Sequence, residues 1–148
     1  MIVKTAAQVI AEANDLILSG AHTPKLAGAF VGLYTAGPTP TRQSLLTNFT
    51  EATFTGYSRQ AVNWTGPINE PDGSASQLGS SSVFALSATT TLNTVAGALL
   101  IGNDSVTLLG AESFSAPIPL VNVGDGFGYA AKINAGYQPD DSAGTIIT

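Results

Sequence analysis

The chain is 148 residues long, with a mass of 15.0 kDa, five basic and ten acidic residues, and a formal net charge of −5. That length suits one domain, which buries roughly 70% of its unfolded surface without cross-links. The absence of cysteine and the single histidine, His22, exclude a disulfide scaffold, a thiolate zinc site, a cysteine nucleophile and any site of two imidazoles. The acidic balance lacks the basic footprint of a nucleic-acid binder. Only 10% of residues are charged, where about a quarter is usual.

The opening Met1-Ile2-Val3-Lys4 starts like a secretory leader, but Glu12, Asn14 and Asp15 break the apolar stretch such a leader needs. No run reaches the ~20 apolar residues that span a bilayer. The expectation is a product made and kept in the cytoplasm of its producer. Asn48, Asn63 and Asn103 open glycosylation-like triplets. In a chain rich in Ser and Thr, with no leader, these carry no weight.

The first element reads as a helix over residues 1–20. Val3, Ala6, Ile10, Ala13 and Ile17 recur at spacings of three and four, Val9 and Leu16 widen the stripe, and Ser19-Gly20 supplies a stop. A helix of about four turns is marginal alone. It must pack on its own domain, or on copies of itself and a partner.

A β-rich body is expected over residues 21–136. Residues 29–35 form an apolar run of strand formers and predict a buried strand; the Pro- and Gly-bearing residues 37–41 predict a loop. Residues 44–49 suit a short helical turn. Residues 53–65 carry Phe54, Tyr57, Arg59, Val62 and Trp64, and predict a strand with an irregularity at Gly56. Residues 66–73 are loop, and the Ser-rich residues 74–82 are a mobile loop or an edge strand. Residues 83–86 are another strand.

The apolar runs 95–101 and 106–109 flank Gly102-Asn103-Asp104-Ser105. This is the strongest hairpin signal, because Gly, Asn and Asp tolerate positive φ. Pro117 and Pro119 place residues 114–123 at a sheet edge. Gly124-Asp125-Gly126 is a turn. Phe127, Tyr129, Ala131, Ile133 and Ala135 then alternate with Gly128, Ala130, Lys132 and Asn134, the period of a half-buried strand. Residues 137–148 form an exposed tail unless a neighbour orders it. One helix followed by about seven short strands predicts a mainly β fold, an antiparallel β-sandwich or jelly roll with one N-terminal α-helix.

Catalytic parts are scarce. Ser-His-Asp chemistry needs His22 as its base, and His22 sits in a loop beside Pro24. Asp140-Asp141 lies in the tail. Gly124-Asp125-Gly126-Phe127-Gly128 superficially matches a phosphate loop but leads into a strand, not a helix N-terminus. Asp72, Asp104 and Asp125 sit in turns without the dense oxygen spacing of a calcium loop. Trp64 and Tyr57 suit a core role over stacking on a sugar or base, and Arg59 suits an ion pair or stacking. No catalytic, cofactor-binding or metal-binding residue is assigned, and no enzyme activity, cofactor, nucleic acid, membrane or small-molecule substrate is expected.

One stretch carries a resemblance. Leu46-Thr47-Asn48-Phe49-Thr50-Glu51-Ala52-Thr53-Phe54-Thr55-Gly56-Tyr57-Ser58-Arg59-Gln60-Ala61-Val62 resembles the ADFTEATFxGYAxxxV pattern of a broad group of small tailed-phage virion proteins. Looser matches follow at Trp64 with Gly66-Pro67, at Ser82-Val83-Phe84, and at the 95–109 hairpin running into Ala111-Glu112-Ser113-Phe114. The last are Pro117-Ile118-Pro119-Leu120 and Gly124-Asp125. The match covers residues 30–134. It departs from the group at Ala96-Gly97-Ala98, where aromatic residues are common, and in its longer N-terminal helix.

The resemblance implies a β-sandwich that decorates the capsid or forms the base of a head fibre; the leading expectation is a decoration protein that binds the outer surface of the head as an oligomer. The partners would be the major capsid protein and copies of the chain itself, as a trimer. The place would be the virion, after synthesis in the host cytoplasm. Low charge favours the same reading, since such a surface is covered by neighbours at little desolvation cost. The alternative is a tail-fibre or head-fibre adhesin module that binds host-surface glycans on an exposed aromatic platform. A small hydrolase is the third reading.

Overall fold

The computed structural model describes residues 3–4, 26–65, 68–69, 75–89 and 93–135. In chain order the strands are β1 (Val3–Lys4), β2 (Phe30–Ala36), β3 (Thr50–Glu51), β4 (Gln60–Ala61), β5 (Ile68–Asn69), β6 (Ala75–Leu78), β7 (Ser82–Ala85), β8 (Asn93–Ile101), β9 (Leu108–Leu120), β10 (Gly126–Tyr129) and β11 (Lys132–Ala135). A 3-10 turn, Leu46–Asn48, precedes β3. Among the described residues every strand pair is antiparallel. The fold is mainly β, as the strand spacing predicts.

Six strands make the larger sheet, in the order β1-β9-β8-β2-β3, with β4 sharing the outer edge of β2. Strands β2 and β8 run through its centre, and both have long fully buried stretches. Strands covered on both faces read as continuous apolar runs, which is why 29–35 and 95–101 show no alternation. Val31, Leu33, Val95, Ala98, Leu100, Leu109 and Leu120 belong to the main core. Tyr34, Leu99, Ile101, Leu108 and Ala111 form a second cluster. In β8 the neighbours Ala98, Leu99, Leu100 and Ile101 alternate between the two clusters, hence between the two faces.

The other layer is a long ribbon. β7 pairs β10 and β6 pairs β11, with the register slipping by one residue between the two halves. The slip is a bulge across residues 79–81 opposite 130–131. The predicted alternation holds over residues 127–133: Phe127, Tyr129, Ala131 and Ile133 turn inward, Gly128 and Ala130 are exposed, and Lys132 is half-buried. These side chains, with Phe84 and Leu86, meet the main core of the larger sheet.

The predicted hairpin is β8–β9, the most extensive pairing among the described residues. Its turn places the positive φ at Ser105, not at the neighbouring Gly, Asn or Asp. Asp104 compensates, its carboxylate accepting from the Val106 and Thr107 amides. The proline-bearing run is the far half of β9. Ala96 of β8 stands opposite four residues, 114–117, so Pro117 falls in a bulge. Among the described residues the outer edge of β9 pairs only at Gly110 and Ala111, so the prolines lie along an edge, as predicted.

Three expectations need correction. Val3 and Lys4, placed in the helix over 1–20, are strand: they pair with Ala111 and Gly110 on the edge of β9. An open sheet edge satisfies backbone groups that the first turn of a helix leaves unpaired. The remainder of that helix and the tail 137–148 lie outside the described residues. Residues 53–65 are not one strand. Only Gln60–Ala61 and an isolated bridge at Trp64 join ladders, because Gly56 turns the chain. Its φ is +96°, and its backbone presses on the Ala85 carbonyl and Ser87 so closely that a Cβ would collide. Residues 75–78 are neither loop nor edge, since β6 lies between β11 and β5.

Candidate functional site

The densest polar constellation lies in the 46–62 stretch, where the chain wraps the outer edge of β2. β4 pairs with Phe30 and Val31, and β3 pairs with Tyr34 and Ala36. Between them the edge is open at residues 32–33. Two groups close it: the Ala52 amide donates to the Leu33 carbonyl (2.9 Å), and the Leu33 amide donates to the Tyr57 hydroxyl (3.0 Å). A side-chain oxygen thus replaces a strand carbonyl, so a buried backbone donor is not left unpaired.

Tyr57 in turn donates to Glu51 Oε1 (2.6 Å). Arg59 grips the same carboxylate as a fork, Nε to Oε1 (2.8 Å) and Nη2 to Oε2 (2.7 Å), and its Nη1 donates to the Ser105 carbonyl (2.7 Å). This bidentate geometry is the strong form of an ion pair. The Arg59 hydrogen bonds hold the Glu51 carboxyl below its ordinary value; burial opposes them and Tyr57 assists. Pairing with Glu51 raises Arg59. Burial, then the bond to Glu51, pushes the Tyr57 phenol well above its usual range. The network ties β2, β3, the Gly56 turn and the β8–β9 turn together.

A second tyrosine–carboxylate pair spans the two layers. Tyr129 of β10 donates to Glu112 Oε2 of β9 (2.7 Å), and burial together with this bond raises its phenol. Between the pairs runs a chain of ring contacts, Tyr57–Phe84–Phe127–Phe114–Tyr129, with centroids 5.8 to 6.1 Å apart. Such pairs add packing energy beyond their buried area.

Chemically, the Glu51 arrangement is a clamp. Both oxygens of its carboxylate are bound by cationic or phenolic donors. A general base is served by an ordinary or raised pKa, and the Glu51 carboxyl is held below its ordinary value.

The residues weighed from sequence are scattered. His22, Asp72, Asp140 and Asp141 lie outside the described residues. Asp104 caps the β8–β9 turn. Asp125 caps the β9–β10 turn, accepting from the Val121 and Asn122 amides (2.9 and 2.8 Å), which lowers its pKa. The Gly124-to-Gly128 segment is this turn and the start of β10, with no helix behind it. Among the described residues no three His, Cys, Asp or Glu side chains gather closely enough to hold a metal ion. Trp64 packs against the main core and its Nε1–H donates to the Leu26 carbonyl (2.8 Å). Arg59 makes the ion pair its setting suggested.

Sequence reasoning missed Glu51 and Glu112 as partners. Glu51 and Arg59 stand eight residues apart across a turn, a spacing that neither helix nor strand periodicity detects. Compared with protein-family models, curated proteins and solved structures, the chain finds no match.

Proposed function

We propose that the chain is a bacteriophage virion structural protein, a capsid decoration protein that binds the outer surface of the head as an oligomer. The proposal starts from the resemblance of residues 46–62 to small tailed-phage proteins. The clamp gives that stretch a structural role, since it fastens the edge of the larger sheet.

The observation that carries the reading is a surface with few charges: only 10% of the chain's residues are charged. Among the described residues Val83, Val106, Val121 and Val123 are each at least half exposed. A surface with little charge and scattered apolar side chains suits burial against neighbouring subunits. The glycan-binding reading asks for a free aromatic platform, whereas Trp64 and Tyr57 pack on the core with their polar atoms committed.

The mechanism is linkage. A protein that binds the assembled lattice but not free capsid subunits stabilises the shell by the free energy of that binding. Co-sedimentation tests it. The purified protein is expected to saturate assembled heads lacking it and to ignore unassembled capsid subunits. No saturable binding to heads, or equal binding to free subunits, would contradict the proposal.

A further inference from the structure

Residues 55–61 form a strap across the outer edge of β2. It is pinned at both ends, where Phe54 and Val62 are buried in the main core at 2% and 4% exposure. None of the residues between the pins is buried. Gly56 turns the chain beside the first pin, and Gln60–Ala61 pair with Phe30 and Val31 beside the second. The middle of the strap, residues 57–59, belongs to no strand. There Tyr57 and Arg59 hold it to the sheet by their side chains.

Those ties converge on one group. Glu51 lies in β3, on the far side of the Phe54 pin, and its carboxylate takes the Tyr57 hydroxyl and both arms of the Arg59 fork. The Glu51 and Arg59 side chains are 28% and 27% exposed, so water and protons reach the pair while the core stays closed. The other titratable side chains of the surrounding elements are Tyr34 of β2, opposite Glu51 in the register, and Asp104 of the β8–β9 turn. Tyr34 is bonded to Ser113 and Asp104 to its own turn, so neither stands in for Glu51 as the acceptor. Tyr57 and Arg59 keep their protons across the acid range. Glu51 is therefore the member of the clamp that acid discharges.

We propose that residues 55–61 are a latch: discharging Glu51 frees the span of Tyr57 and Arg59, which lifts off the β2 edge between its two pins while both layers stay folded. Openings of this size belong to the low-energy end of local unfolding. The Tyr57 ring, half-buried against Phe54 and Phe84, opposes the lift, so the open form is a minor population. Opening bares the Leu33 amide and the edge beside it, within the apolar run of β2. An uncovered strand edge is a template for another strand, and the clamp guards it. The inference stands apart from the virion reading.

Amide hydrogen exchange of the full chain, followed residue by residue in low urea, reads the latch. Leu33 reports the strap; Leu99 and Leu100, at the centre of the sheet, report the core. The Leu33 amide is expected to exchange through an opening that urea leaves unchanged, whereas the openings that free Leu99 and Leu100 grow with urea. Glu51→Gln, the uncharged isostere, is expected to lower Leu33 protection by on the order of tenfold or more, the loss of hydrogen bonds to a charged group. Ile133→Val, in the other layer, weakens the closed and open forms alike. It is expected to lower the core amides and leave Leu33 as it was.

If Glu51→Gln does not fold, the unaltered chain at about pH 3, with rates corrected for their intrinsic pH dependence, takes its place with the same expectation. The proposal is overturned if Leu33 follows the core amides in urea or in Ile133→Val. It is equally overturned if Leu33 keeps its full protection once Glu51 is discharged.

Discussion

Tyr57 does with its side chain what a strand would do with its backbone. Its hydroxyl accepts from the Leu33 amide and donates to Glu51, so one oxygen closes the gap in the β2 edge and fixes the clamp. Tyr57→Phe keeps the ring contacts with Phe54 and Phe84 but orphans the Leu33 amide. A buried unpaired donor costs about 1–3 kcal/mol, and urea unfolding should show a lower midpoint with an unchanged slope.

The same residues set the pH dependence. The folded value of Glu51 lies below its ordinary 4.5, so its contribution is present above that pH and is lost as pH falls through the lowered value. Tyr57 and Tyr129 are raised above 10.0. Their contribution is intact below pH 10 and is lost as pH rises beyond it. Urea midpoints measured across pH should therefore fall at both ends, and Glu51→Gln should make the acid limb shallower. An acid limb as steep in that variant would mean that other carboxylates carry it. Arg59 was legible as an ion-pairing residue because it is one of few cations amid aromatic residues. Its partner was not, because a turn had to bring Glu51 to it.

At the scale of elements, the sequence read best where burial alone decides side-chain order. Residues 127–135 alternate because one face of that ribbon is buried, and 95–101 run apolar because both faces are. It read poorly where the partner supplies the structure. Ser76 and Gln77 have little drive to form a strand, yet β6 is held by β11 on one side and β5 on the other. Residues 53–65 have strand composition, but Gly56 and the clamp spend them on a wrap between layers.

The departure at Ala96-Gly97-Ala98 also has an account. Gly97 stands opposite Tyr34 in the register, and the Tyr34 ring lies over it with its hydroxyl bonded to Ser113 (2.8 Å). A Cβ at Gly97 would overlap both that ring and the Glu112 carbonyl. An aromatic side chain across a strand glycine fills the space the glycine leaves. Gly97→Ala should therefore destabilise by about 1–3 kcal/mol, the usual penalty of overpacking, read as a lower urea midpoint. An unchanged midpoint would mean that Tyr34 swings aside freely.

For the whole molecule, only 10% of residues are charged and the formal net charge is −5, so few charges would lose their water when neighbours cover the surface. Fold class was legible in composition and strand spacing. The layer arrangement was not, since it depends on which face of β8 each neighbour covers. The proposed function rests on a resemblance, because the residues spell out no catalytic or ligand-binding motif to read.

Copy number in purified virions tests the central claim most directly. Heads are separated from tails, and this protein is quantified against the major capsid protein by mass spectrometry. Occupation of repeated lattice positions by an oligomer predicts a ratio between about one-third and one in the head fraction. A handful of copies per particle, recovery with the tails, or absence from the particle would contradict a capsid decoration protein.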